Sequence, residues 1–300
     1  MNYHVPVLLN ESVAGLNIRE GGIYADVTFG GGGHSAEILK KLKKGKLFAF
    51  DQDSDAKANA DSLNNSSLIF VESNFRHLKR QLKMHGVKQI DGLLADLGVS
   101  SHQIDSPERG FSTRFEGELD MRMDRQADKT AQEVLNKYSE ENLHKIFGMY
   151  GEVRNARTLA AEVIKGRARK SFRNISDLKI ILQPLAPRGK ENKYFAQVFQ
   201  AIRIEVNDEL KALEDLLEQS AEVIKKGGRL VVISYHSLED RLVKNFINKG
   251  KFFGEIEKDV YGNFERPFKE LNRKPVEASE EEVEKNKRAR SAKLRIAEKI

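Results

Sequence analysis

The sequence predicts an α/β fold in which a largely parallel sheet is interrupted by an all-helical insert. Three observations carry this reading. Over roughly the first hundred residues, short apolar runs alternate with amphipathic stretches of about ten residues, the pattern of right-handed βαβ units. From Gln103 to about Gln200 the β pattern stops and apolar residues recur at helical spacing. Residues 229–235 (RLVVISY) then restore a buried strand. The expected division is a discontinuous α/β domain, residues 1–103 and 200–300, around a helical insert at 104–199.

Each element has its own signal. Strands are expected at 23–28 (IYADVT), 46–50 (KLFAF), 68–71 (LIFV) and 90–97 (IDGLLADL). Helices are expected between them at 35–43, 55–63 and 75–85, the last closed by Gly86. Within the insert, 129–136, 139–147, 155–165 and 175–182 read as helices with Ser or Asn near their starts. The clusters SPERGFS, KGRARKSFR and QPLAPRGK separate them. A long helix is expected from about Phe195 to Lys226, capped by Gly227 and Gly228. A helix at 238–248, a hairpin over 252–264 and a last strand near 291–298 complete the chain.

Composition narrows the class. With 39% hydrophobic and 32% charged residues among 300, the chain is an ordinary globular one with enough length for a large core. No stretch approaches the ~20 apolar residues of a membrane span, and MNYHVPVLLNES lacks the basic and apolar regions of an export signal. A cytoplasmic location is the expectation. The absence of cysteine excludes disulfides, thiolate nucleophiles and Cys-ligated zinc, and no metal ligand set is predicted. A net charge of +6 hints at a polyanionic partner.

The glycine-rich stretch TFGGGGHS (28–35) follows the first strand, where a bare backbone allows close approach of a ligand to helix N–H groups. A P-loop would end Gly-Lys-Ser/Thr, but this one ends Gly33-His34-Ser35. A dinucleotide loop needs three glycines; Gly30 and Gly32 fit, and Ser35 holds the third place. S-adenosylmethionine is the third ligand that uses such a loop. Asp51, ending the second strand, suits the ribose diol of either NAD or S-adenosylmethionine, with a solvated, capping turn (FDQDSD) as the rival reading. Asp96 ends the fourth strand in ADLGVSSHQ and faces the same crevice beyond the strands' carboxyl ends.

A wider set of motifs carries a family resemblance: HVPVLLNES (4–12), DVTFGGGGHS (26–35), FDQD (50–53), DLGVSSHQID (96–105), RGFS (109–112), LDMRMD (119–124), YGE (150–152), FQAIRIEVNDEL (199–210), GGRLVVISYHSLEDRLVK (227–244) and RSAKLRIAEK (290–299). The sequence closely resembles the ribosomal RNA small subunit methyltransferase H family, nearly end to end. The resemblance implies a class I S-adenosylmethionine-dependent methyltransferase sheet with a helical domain inserted after the fourth strand. It implies methylation of the exocyclic N4 of a decoding-centre cytosine in bacterial 16S rRNA, within the small ribosomal subunit. Carried over residue by residue, it puts the cofactor contacts on Gly32, Gly33, His34, Asp51, Phe75, Asp96 and Gln103. Phe75 would stack on adenine, with core packing as the rival role. Two departures stand out: His102 replaces the usual proline, loosening the turn that presents Gln103, and Gln197 stands where relatives carry arginine.

The chemistry implied needs particular groups. The lone pair of a cytosine amine is delocalised into the ring, so the site must hold the nitrogen in line and accept a hydrogen bond from its N–H. Asp96 is the candidate acceptor, assisted by the backbone carbonyls of 97–99. Asp-Leu-Gly-Val only partly resembles the Asp/Asn-Pro-Pro-aromatic motif of many amino-methyltransferases. Tyr235 or His236, ending the fifth strand, would provide a stacking surface or relay the proton, against a purely structural role; His236 joins Asp96 as a catalytic candidate. The base must also leave its stack, so RNA contacts are expected from basic runs. These are GRARKSFR (166–173) and KNKRARSAKLR (285–295), the latter with Arg288, Arg290, Lys293 and Arg295. Arg109, Arg122 and Arg203 lie in family motifs and join this set, although Arg203 has Glu205 and Glu209 as alternative partners. A nicotinamide oxidoreductase and a non-catalytic RNA-binding assembly factor stay as alternatives, and oligomeric state, a homodimer included, is left open.

Overall fold

A computed structural model describes residues 6–256 and 264–300; the turn of the expected 252–264 hairpin lies outside them. The chain divides into two compact units, Met1–Gly98 with Leu210–Ile300, and Val99–Glu209.

In the first unit the order is α1 (Leu9–Gly15), β1 (Ile23–Asp26), α2 (Gly33–Lys41), β2 (Lys46–Asp51), α3 (Lys57–Leu63), β3 (Leu68–Glu72), α4 (Leu78–Met84) and β4 (Ile90–Asp96). The helical unit holds α5 (Ser101–Asp105), α6 (Ala131–Lys137), α7 (Glu140–Met149), α8 (Ala156–Arg169), α9 (Ile175–Leu182) and α10 (Glu191–Asn207). The chain continues with α11 (Glu209–Val223), β5 (Ile224–Ser234), α12 (Ser237–Lys249), β6 (Phe268–Glu270), α13 (Glu280–Lys285) and β7 (Lys293–Lys299).

These strands form one seven-stranded sheet in the order β3-β2-β1-β4-β5-β7-β6. β1 to β5 are parallel, and β7 runs antiparallel to both β5 and β6, so the sheet is mixed. β2 shows why a parallel strand is apolar throughout: Leu47, Phe48, Ala49 and Phe50 are all fully buried because helices cover both faces. Strand order reverses at β1, which pairs with β2 on one side and β4 on the other. Such a switch point leaves a crevice beyond the strands' carboxyl ends, where ligands bind in open α/β sheets.

The helical unit has its own core, which includes Phe147, Leu159, Leu178, Val198 and Ile202. Its helix starts match their sequence signals: the side chains of Thr130 and Ser139 accept from the backbone N–H three residues on, and Asn174 closes a capping box with Asp177.

Three expectations need correction. The long helix over 195–226 is two helices, because Asp208 takes a left-handed conformation (φ 51°) and stops α10. Gly227 and Gly228 fall within β5, beside a shift in its register with β4, rather than capping a helix. The units divide at 98/99 and 209/210 instead of 103/104 and 199/200, since α5 starts at Ser101 and α10 runs unbroken to Asn207. Four elements were not anticipated: α1, whose N-terminal flank Leu8 provides no side-chain cap, five-residue α5, three-residue β6, and α13.

Candidate active site

The site begins where β1 ends. Asp26 is buried; its carboxylate accepts from Ser35 Oγ at 2.7 Å and from the Thr28 N–H at 3.2 Å. The chain then turns through Gly30 (φ 51°) and Gly32 (φ 76°), left-handed conformations that glycine adopts without penalty. A Cβ on Gly32 would sit 2.8 Å from the Phe29 ring, and one on Gly33 2.2 Å from Pro6. At Gly31 it would meet nothing within 4 Å. The loop is therefore closely packed at Gly32 and Gly33 and bare at Gly31, a face against which a ligand can lie.

Asp51, at the tip of β2, holds this loop. Its Oδ2 accepts from the Gly30 N–H at 2.7 Å and its Oδ1 from the Asp53 N–H at 2.9 Å. Burial pushes its pKa up to about 6, against the lowering effect of those two bonds. The capping role in this turn falls to Asp53, which accepts from the Asp55 N–H. Each Asp51 oxygen keeps a lone pair for a further donor.

At the other end of the loop, buried His34 places Nε2 3.2 Å from the Val7 carbonyl. A carbonyl only accepts, so Nε2 is assigned the proton and Nδ1 is left as an acceptor. That nitrogen faces Asp96 Oδ2 at 3.8 Å. Burial lowers the His34 pKa, keeping the ring neutral. Asp96 in turn accepts from Tyr235 Oη at 2.7 Å on Oδ1, and its backbone N–H donates to Thr28 Oγ1 at 2.6 Å. Burial drives the Asp96 pKa to about 7; the Tyr235 bond works against this, and the charge of Glu239 adds to it. The Tyr235 phenol is raised well above its usual value, first by burial and then by Asp96, so it remains a donor.

Residues 26–35 thus tie three strand tips together: Gly30 bonds to Asp51, His34 faces Asp96, and Asp26 lies within electrostatic reach of both His34 and Asp96. The sequence reading passed over Asp26. Its signal was available, because an aspartate ends β1, β2 and β4 alike.

Other predicted residues have the following surroundings. Partly buried Phe75 follows β3 and packs on the sheet core. Gln103 belongs to the helical unit, where it closes a capping box with Ser100. His236 caps α12 in a box with Glu239, with Nε2 3.2 Å from Glu239 Oε1, so Tyr235 rather than His236 reaches Asp96. Gln197 donates to the Glu152 carbonyl at 3.3 Å.

Several candidate RNA contacts are occupied within the fold. Arg109 is 3% exposed, and its guanidinium donates to the carbonyls of Arg122 and Met123. The guanidinium is thus enclosed, with these donors committed to main-chain carbonyls. Arg122 forms a two-pronged pair with Asp120 (2.7 and 2.8 Å), and Arg203 does so with Glu209 (2.8 and 2.9 Å). Buried Arg295 is likewise held by Asp240 (2.7 and 3.1 Å). Arg288 is partly buried, Lys293 is half-exposed and Arg290 is exposed.

A family model described as the MraW methylase family matches residues 1–300. The chain belongs to that family. It is 63% identical over 297 residues to the ribosomal RNA small subunit methyltransferase H of Cytophaga hutchinsonii, covering 99% of each chain. It is 56% identical over 301 residues to the protein of the same name from Flavobacterium johnsoniae, covering 100% of this chain and 99% of the other. Among solved structures, a putative methyltransferase from Streptococcus mutans in complex with SAH gives a TM-score of 0.44 at 13% identity, with 99% and 100% coverage. An rRNA methylase from Streptococcus thermophilus gives 0.43 at 12% identity, covering 100% of this chain and 99% of the other. Family membership makes the chain a methyltransferase and sets the nicotinamide alternative aside. Among the described residues, no helix is long and apolar enough to cross a membrane.

Proposed function

We propose that this protein transfers a methyl group from S-adenosylmethionine to the exocyclic N4 of a cytosine in the decoding centre of bacterial 16S rRNA, in the small ribosomal subunit. The observation that carries the reading is the Asp96 carboxylate beside the glycine loop, held by Tyr235 and faced by the unprotonated nitrogen of His34.

The donor set fits the cofactor. Gly31 leaves a bare face, Asp51 offers lone pairs suited to ribose hydroxyls, and Gly32, Gly33 and His34 lead into α2. Phe75, which follows β3 in the same unit, completes the proposed contact set there. Bound there, the cofactor supplies a methyl group activated by its sulfonium.

The protein's contribution is orientation and acceptance. Asp96, as carboxylate, accepts a hydrogen bond from the amine N–H and so favours the tetrahedral nitrogen that carries a usable lone pair. The Tyr235 hydroxyl fixes the carboxylate and stabilises its charged form. Once the nitrogen–carbon bond has formed, Asp96 takes the surplus proton, a task suited to a carboxyl with a pKa of about 7.

Incubation with methyl-labelled S-adenosylmethionine and small subunits lacking the modification is expected to place label on N4 of one decoding-centre cytosine. The Asp96→Ala variant should place none. Label on another atom, or unchanged transfer by the variant, overturns the reading.

A further inference from the structure

The carboxyl ends of the strands hold the site just described. A small open cavity of about 40 Å³ lies at their opposite ends, lined by the turn before β1 and the first residues of β1, β4 and β5. β4 has seven residues, so the two edges are about 20 Å apart at ~3.3 Å per residue.

The lining is cationic. Arg19, Lys225, Lys226 and Arg229 face it, with Asp91 as the acidic member. Lys225 is tethered at 3.2 Å to Asp91, whose Oδ2 also accepts from the Ile23 N–H at 2.8 Å. Arg229 is tethered through Nη2 to Glu298 at 2.9 Å, while its buried Nε has no hydrogen-bond partner among the described residues. Arg19 and Lys226 are exposed, and no described carboxylate lies within ion-pair distance of either. Four cations against Asp91 and Glu298 leave the site positive.

The backbone is preset for a small ligand. The Arg19 N–H donates to Tyr24 Oη at 2.8 Å, which fixes the turn that presents the arginine. Gly227 is left-handed (φ 76°), and a Cβ there would meet nothing within 4 Å, so the irregular start of β5 shows bare backbone to the cavity. A buried guanidinium N–H without a partner costs free energy that an anionic oxygen would recover.

We propose that this cavity binds a phosphate group, carried by the backbone of the RNA substrate on the far edge of the sheet from the methyl-transfer site. A phosphate matches the unpartnered Nε–H of Arg229 and the two charges of Arg19 and Lys226. The choice of RNA as its source rests on the rRNA substrate proposed above.

The test compares the wild type with Arg19→Ala/Lys226→Ala, and with Arg80→Ala/Lys83→Ala as a control of equal charge change elsewhere. A fluorescein-labelled single-stranded RNA and inorganic phosphate are the probes; calorimetry with S-adenosylmethionine shows that each variant is folded and retains its cofactor site. The pocket variant is expected to bind RNA about three- to tenfold more weakly, with its salt slope reduced by about 0.7–1.4 for two lost contacts. It should also lose the rise in Tm that phosphate gives the wild type over chloride at equal ionic strength. Loss of the phosphate effect with RNA affinity unchanged supports the phosphate site but overturns RNA as its source. Wild-type-like behaviour towards both probes, or equal losses in the control, overturns the site itself. Failure of the wild type to label subunits bears on the methyl-transfer reading alone.

Discussion

Asp51 and Asp96 end the two strands that flank β1, and burial raises the pKa of both, yet their surroundings differ. Asp51 receives a backbone N–H on each oxygen, donors that cannot rotate away. Asp96 receives one phenol on Oδ1, and its Oδ2 faces a histidine nitrogen that carries no proton. The first environment holds a carboxylate still, as a binding group requires. The second leaves one oxygen uncommitted and the proton nearly balanced at neutral pH, as an acceptor requires. Position at a strand end brings both groups to the crevice; the neighbours decide what each does there.

Substitution at Asp96 should have the largest effect. Asp96→Asn keeps the shape but removes the basic oxygen, and we expect turnover to fall about 10²–10⁴-fold, the usual worth of a positioned acid–base group. Cofactor affinity measured by calorimetry should change far less. The same substitution should stabilise the fold in alkaline solution. The native carboxyl holds its proton more tightly than the unfolded chain, so its contribution to stability is full below the ordinary 3.8 and lost as pH rises through about 7. Denaturant midpoints of Asp96→Asn and wild type should therefore diverge between pH 4 and 8 in the variant's favour.

Asp51→Asn should do the converse. One oxygen is replaced by a donor that opposes the backbone N–H groups, and the dissociation constant for S-adenosylmethionine should rise about 10–100-fold, in line with the ~1.5–3 kcal/mol of a hydrogen bond to a charged group. Turnover at saturating cofactor should fall little. If Asp51→Asn reduces mainly turnover and Asp96→Asn mainly affinity, the roles are exchanged.

Tyr235→Phe sharpens the contrast. The phenol lowers the Asp96 pKa by favouring the charged form, so its removal should move the acid limb of the kcat/KM profile upward by about one unit. Near neutral pH this appears as a loss of about fivefold, approaching tenfold in acid, that is recovered on raising the pH. An unmoved limb would mean that another group controls the profile.

Much of this was legible in the sequence for a physical reason. The parallel strands carry a short continuous apolar run that closes on an aspartate at β1, β2 and β4, and both halves of that signal are local. Helix starts at Ser139 and Asn174 were legible in the same way. Asp208 was not, because a left-handed aspartate inside an apolar helical pattern has no local marker. The arginines were least legible. A sequence shows that Arg109 and Arg295 are cationic, but their partners, the Met123 carbonyl and Asp240, are 14 and 55 residues away. Whether a guanidinium is free for RNA is decided by such distant contacts.

The smallest expected effect separates those two kinds of arginine. Arg290 is exposed in the C-terminal basic run, whereas Arg109 is enclosed with its donors on main-chain carbonyls. Arg290→Ala should weaken RNA binding about threefold at moderate salt and reduce the salt slope by about 0.7, with Tm unchanged, because one phosphate contact releases a fraction of a counterion on a single strand. Arg109→Ala should lower Tm through the carbonyls it strands, and its salt slope should match the wild type when measured well below that Tm. A changed slope for Arg109→Ala, or an unchanged one for Arg290→Ala, would show that burial had been the wrong guide to which cations meet the RNA.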